Sequence, residues 1–143
     1  FGLLIFFISV NHIFSTENNF NIRTGEEKDT KDYIIKFEKL TTMSTTNYKS
    51  IVGNFKIISK KKLNTKNLKP EIRFYNQPQT ITYEASIRSN FFSDTYLTMS
   101  NISDTDIFNV KFEKKPFMNF IWFSVLLISF GGLLNFFNRK KQI

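Results

Sequence analysis

Few side chains in this sequence are equipped for covalent or metal chemistry. The chain has 143 residues, one histidine (His12) and no cysteine. Without a thiol there is no disulfide framework, no cysteine-based zinc site, no thiolate nucleophile and no iron–sulfur cluster. A single imidazole builds neither a histidine cluster nor a Ser–His–Asp triad. His12 follows Asn11 near the end of an apolar run. An imidazole at a membrane edge is cheap to solvate, so His12 reads as an interfacial residue rather than a haem or metal ligand. Met43, Met99 and Met118 have no evident partner ligand. No glycine-rich phosphate loop and no paired-carboxylate signature occurs. A membrane-anchored hydrolase therefore lacks its base. Asn101-Ile102-Ser103 fits a glycosylation sequon, a pattern too short to carry an assignment.

Charge adds little. Seventeen basic and twelve acidic side chains fall within 15–115, a net charge of +5, and the C-terminal tail adds three cations. That excess is too modest to argue for a nucleic-acid partner. The one basic cluster, Lys60-Lys61-Lys62 with Lys66 and Lys69, reads as a solvated turn between strands rather than a phosphate patch.

The segments at the two ends are apolar. Phe117 to Phe137 runs twenty-one residues without a charge, between Lys114-Lys115 and Arg139-Lys140-Lys141. About 20 apolar residues cover a hydrocarbon core of roughly 30 Å, and backbone in lipid must bond internally. This predicts a transmembrane helix over 116–138, with Pro116 in its first turn. The basic tail, 139–143, is expected on the cytoplasmic or matrix side. Phe1 to Phe14 is equally apolar but too short to span alone, and it has neither a starting Met nor a basic n-region. It reads as the end of a transmembrane helix whose first turns lie upstream, so that the chain is part of a longer polypeptide. Gly131 and Gly132 each cost about 1 kcal/mol of helix propensity relative to alanine. An anchor has no reason to carry that cost, so a packing seam is expected through Ser124, Ile128, Gly131 and Gly132, against the helix ending near Phe14.

Residues 15–115 read as a β domain. Tyr33, Ile35 and Phe37 alternate with Lys36 and Glu38, and Phe108, Val110 and Phe112 share one face. Further short strands are expected at 51–59, 72–75, 80–87 and 95–99, with turn residues between them. The fold class is a small all-β sandwich or barrel flanked by two helices.

Several segments resemble the C-terminal region of the CcmF family of cytochrome c-type biogenesis proteins. Pro70-Glu71-Ile72-Arg73-Phe74-Tyr75 resembles a PEKRFY-like strand, Thr82-Tyr83-Glu84-Ala85-Ser86-Ile87 a TTEAAI-like strand, and Asp94-Thr95-Tyr96-Leu97 a DLYV-like strand. Lys115-Pro116-Phe117, Ile121-Trp122, Gly131-Gly132-Leu133-Leu134 and Arg139 resemble the family's ending. Tyr33 to Phe37 and Asn47-Tyr48 fit earlier segments in the same order. Departures include Thr30-Lys31-Asp32 in place of glycines, Thr46 for a proline, and Asn119-Phe120 in place of an Arg-Trp-like pair.

The resemblance implies a haem lyase subunit of the bacterial inner membrane, or of the mitochondrial inner membrane, with a periplasmic-side β domain. Such a subunit receives haem from CcmE, attaches it to apocytochrome c and works with CcmH and CcmI. The family's haem-handling parts are a Trp-rich segment and several histidines. This chain has no such segment, and His12 matches none of those histidines. By the same likeness a haem-binding histidine precedes Phe1-Gly2-Leu3. The chain alone is therefore expected to bind no haem and to serve as structure or as a docking surface. By their match to the family, Arg73, Tyr75, Glu84, Arg88 and Asp94 are the candidate docking face; the alternative for them is an internal salt-bridge and hydrogen-bond set. The competing role for the whole chain is a stand-alone membrane-tethered β domain acting as scaffold or chaperone.

Overall fold

The structure is a computed structural model that describes residues 1–10, 15–61, 64–101 and 106–140, with side chains described up to residue 134. It divides into two compact units. One comprises Phe1–Thr16, Ser89–Asp94 and Lys114–Ile143; the other comprises Glu17–Arg88 and Thr95–Glu113.

The second unit is all β. Its strands are β1 (Thr16–Arg23), β2 (Glu27–Asp29), β3 (Tyr33–Ser44), β4 (Tyr48–Ser59), β5 (Thr65–Leu68), β6 (Glu71–Asn76), β7 (Gln79–Glu84), β8 (Ser86–Ser89), β9 (Ser93–Asn101) and β10 (Ile107–Pro116). Four strands form a sheet in the order β1-β10-β9-β8. The other sheet runs β2-β3-β4-β6-β7, with β5 also paired to β4. Residues from both sheets share one core: Ile22, Leu97, Met99, Phe108, Val110 and Phe112 from the first, and Ile35, Phe37, Phe55, Ile57, Leu68 and Ile72 from the second. The architecture is thus the expected sandwich.

Period-two alternation builds this core. Phe108, Val110 and Phe112 are buried while the residues between them are only partly so. Ile35 and Phe37 are fully buried, and the Phe37 ring stacks on Phe55 across the β3–β4 pair at 4.2 Å and 11°. Phe108 meets Phe37 edge-on at 5.6 Å. Burying each such side chain stabilises the fold by about 1.5–3 kcal/mol. The alternation in β3 changes phase at a bulge: Phe37 pairs with Phe55, Lys39 with Asn54, and Glu38 is the extra residue. Leu40 consequently packs against the core alongside Phe37.

Several segments differ from the sequence expectation, which lacks β2 and β5 among others. The stretch 80–87 is not one strand. It breaks at Ala85, so that β7 lies in one sheet and β8 in the other. β1 was not expected, because its three asparagines, poor strand formers, mask the alternation of Phe20 and Ile22.

The first unit holds two helices, α1 (Gly2–Val10) and α2 (Met118–Lys140). Among the described residues no helix is long and apolar enough to cross a membrane. Pro116 ends β10 rather than opening α2, and Phe117 makes the turn with φ 63°. That left-handed conformation costs a non-glycine residue about 1–2 kcal/mol. It is held by Phe117 N–H donating to the Phe92 carbonyl (2.8 Å), while Phe120 N–H closes the first turn on the Phe117 carbonyl (3.0 Å).

Candidate functional site

Alternation on β6 sends Ile72 and Phe74 toward the core and Glu71, Arg73 and Tyr75 to the opposite face. Register places these three between strands on both sides. Tyr75 pairs with Tyr48 and Thr80, Arg73 with Ser50 and Thr82, and Glu71 with Val52 and Glu84. Arg73 is the centre of the patch. Its Nε donates to Glu71 Oε2 at 3.0 Å, and its Nη1 lies 3.8 Å from Glu84 Oε1. Its guanidinium carbon stands 4.9 Å from the Tyr48 ring centroid. Tyr48 and Tyr75 pack at 5.3 Å, and Thr82 donates to Glu84 at 3.2 Å. Ser50 and Val52 are buried in the floor of this face although they point away from the main core.

The electrostatics follow from the register. Glu71 and Glu84 face one another across the β6–β7 pair, an arrangement that repels unless a cation intervenes. Arg73 supplies that cation. The hydrogen bond to Glu71, then that to Tyr75, holds the guanidinium charged well above its ordinary range, against the opposing effect of desolvation. These side chains are partly exposed, so each ion pair is worth at most about 1 kcal/mol. The group includes no nucleophile activated by a base. It is a rigid surface of arginine and tyrosine, the residue types that dominate recognition hot spots. A shallow polar depression lined by Thr46, Asn47, Tyr75, Asn76 and Gln77 adjoins it.

Of the residues singled out from sequence, Arg73, Tyr75 and Glu84 come together here. Arg88 does not join them: it is exposed on β8, in the four-stranded sheet. Asp94 is 8% exposed at the start of β9, within the helical unit, so its carboxylate is not presented at a surface. Sequence reasoning missed Tyr48, which only strand pairing brings here, and Glu71 and Thr82. The signal was available in the spacing Glu71, Arg73, Tyr75 and Thr82, Glu84, which puts each set on one strand face.

In the helical unit Ser124 is fully buried, and its hydroxyl donates to the Ile121 carbonyl at 2.6 Å. The close approach is made at Gly2. A Cβ there would lie 2.8 Å from Ile128 Cγ1 and 3.2 Å from the Ser124 carbonyl oxygen. Ser124 and Ile128 therefore lie at this close approach, while among the described residues a Cβ at Gly131 or Gly132 would meet nothing within 4 Å. His12, the end of the first apolar segment and residues 102–103 of the sequon lie outside the described residues, as do the side chains of the basic tail.

The apolar depression and the Tyr48–Tyr75 pair do not assemble a haem site. Axial ligation takes histidine, cysteine, tyrosine, or methionine paired with histidine, in an apolar pocket. The apolar depression on the neighbouring strands offers one thioether, Met43, with Thr42, Ile51 and Phe74. Met99 is sealed in the core, and the rings of Tyr48 and Tyr75 pack on each other at the surface. Among the described residues no group of three or more histidine, cysteine or carboxylate side chains is placed to hold a metal.

Comparison with known proteins points one way. A family model described as the CcmF C-terminal beta-sandwich matches residues 13–116. The cytochrome c-type biogenesis protein CcmF of Pseudomonas fluorescens is 30% identical over 129 residues, which cover 90% of this chain and 19% of that protein. CcmF of Haemophilus influenzae is 29% identical over 142 residues, covering 99% of this chain and 22% of the relative. A solved structure of the cytochrome c heme lyase CcmF superposes with a TM-score of 0.62 at 14% identity, over 93% of this chain and 22% of that one. That likeness is one of fold. The chain spans about a fifth of the length of these relatives.

Proposed function

The chain belongs to the CcmF family, and on that premise we propose that it is the C-terminal, partner-docking part of a haem lyase subunit in cytochrome c maturation. The whole subunit moves haem from a haem chaperone to apocytochrome c; this part supplies a surface. The observation that carries the docking role is the Arg73 cluster. Its side chains are tied to one another on one strand face, while the other face of β6 is anchored in the core. A preorganised arginine between two carboxylates and two tyrosines loses little side-chain freedom when a partner arrives. Binding of CcmH, CcmI, CcmE or the apocytochrome at this face is the role assigned to it. Haem handling is assigned to other parts of the subunit, in keeping with the donor set here.

Membrane attachment belongs to the same proposal. The uncharged run 117–137 supports a spanning α2, with the tail Arg139-Lys140-Lys141 on the cytoplasmic or matrix side. The β domain then faces the periplasm or the intermembrane space. A reporter fused after Ile143 that is active only on the periplasmic side overturns this orientation.

The docking role is tested by Arg73→Glu in the full-length subunit. The expected result is loss of cytochrome c maturation and of co-purifying maturation partners, at an unchanged level of the subunit. Normal maturation and normal co-purification would sink the docking role while leaving family membership intact.

A further inference from the structure

We infer that the loop joining β8 to β9, with Phe91 and Phe92 at its tip, is a membrane-contacting element that seats among lipid headgroups beside the first turn of α2. The inference rests on the reading of α2 as a membrane helix. All of the contacts that carry it lie within the helical unit.

The two rings are unusually exposed for phenylalanine, Phe91 by 69% and Phe92 by 64%. They pack on each other at 5.1 Å and on Phe120 at 5.8 and 6.2 Å; Phe120 in turn meets Phe117 at 5.7 Å. The loop apolar surface is therefore continuous with that of the helix. In water such a patch is unfavourable, and one of this kind marks a contact with something apolar.

The backbone shows what kind of contact. Every carbonyl from Asn90 to Ser93 is already bonded. Asn119 Nδ2 donates to the Asn90 and Phe91 carbonyls at 3.1 and 3.2 Å. Phe117 N–H takes the Phe92 carbonyl, and Asn90 N–H takes that of Ser93 at 3.0 Å. A loop that stays in water has no need of this, because water satisfies its carbonyls. A loop entering a medium poor in donors must satisfy them itself. Asn119 thus acts as a positioning residue, pinning the aromatic tip to α2.

The occupant is lipid rather than a protein groove. Over 118–134 the side chains of Trp122, Phe123, Val125, Leu126, Phe130 and Leu133 leave α2 broadly apolar and exposed, whereas Ser124 is buried. A protein groove covers one stripe of a helix; lipid covers all of it. The loop meets this helix at its first turn, just after Lys114 and Lys115, and there aromatic rings occupy the membrane–water boundary.

The test uses the full chain in phosphatidylcholine–phosphatidylglycerol vesicles made with lipids brominated either near the headgroup or near the chain ends. Trp122 is the sole tryptophan and reports on α2. Phe91→Trp in a Trp122→Phe background reports on the loop, and Phe92→Trp repeats the measurement should the first variant not fold. The expected result is about a twofold loss of loop emission with headgroup-side bromine and a smaller loss with chain-end bromine. Quenching of Trp122 without quenching at 91 overturns the inference and leaves the membrane helix standing. Stronger quenching at 91 by chain-end bromine also overturns it, because the tip then lies in hydrocarbon. Quenching at 91 without quenching of Trp122 supports the loop and refutes the helix. No quenching at either site refutes both.

Discussion

The Arg73 guanidinium lies over the ring of Tyr48, on the strand paired with its own, and from that position bridges Glu71 and Glu84. The contact holds three strands of one sheet together on the face away from the core.

Arg73→Ala should lower the unfolding free energy by about 1–2 kcal/mol, from the lost cation–π contact and two partly exposed ion pairs. It also leaves Glu71 facing Glu84 without a cation, so adding Glu84→Gln should recover part of the loss. Arg73→Lys keeps the charge but not the planar fork, and should fall between the two. Urea unfolding of the full chain measures all three. Stability of Arg73→Lys equal to wild type would show that the stacked geometry contributes nothing.

Gly53 faces the core opposite Leu40, and a Cβ there would stand 2.7 Å from both Met99 Sδ and Phe55 Cε2. Gly53→Ala gains about 0.4–1 kcal/mol from a stiffer unfolded chain but costs about 1–3 kcal/mol of overpacking. The second effect should win. The penalty should shrink, though not vanish, in a Met99→Ala background, where one of the two side chains in the way is gone. A double-mutant cycle without coupling between positions 53 and 99 contradicts this account.

The contact of Gly2 with Ile128 and Ser124 predicts that this position tolerates no large side chain. Gly2→Leu in the full-length subunit should separate α1 from α2 and lower the level of the protein, and Gly2→Ala should do so less. Immunoblots decide it; an unchanged level in Gly2→Leu would show that the close approach contributes nothing.

Lys111 lies between Glu17 (3.1 Å) and Glu113 (2.5 Å), bracing β10 against β1. The hydrogen bond to Glu113, then that to Glu17, raises its pKa above the ordinary 10.5. A folded value above the unfolded one means stabilisation that is complete below pH 10.5 and lost as pH rises through the folded value. Lys111→Met should therefore be less stable than wild type at neutral pH, and the two should converge in strongly alkaline solution. The neutral-pH difference should also shrink in high salt, since the group is exposed. A gap that is the same on both sides of that pH range rules the ion pairs out as its cause.

The chain incubated with haem should show no Soret band above that of free haem, since Met43, the thioether lining its apolar depression, has no histidine beside it there. A band that disappears in His12→Ala would make His12 a ligand and reverse the reading of that residue.

What the sequence alone determined was local. Phe108, Val110 and Phe112 declared their buried face because alternation is written in adjacent residues, and so did Ile35 and Phe37. The uncharged run after Pro116 announced a long helix in the same way, and the ordered series of segments announced the family. Tertiary structure decided whatever depends on pairing between distant segments. The Glu38 bulge, the sheet change at Ala85 and the meeting of Arg73 with Tyr48 arise from strand register, which no neighbouring residue specifies. The match to the family places Asp94 on the docking face, yet burial is set by what packs over a residue. The close approach at Gly2 was not legible either, because it arises where α1 meets Ser124 and Ile128 of α2, a helix at the other end of the sequence. Helix propensity shows where a small residue is tolerated; only the approach of another backbone shows where it is required.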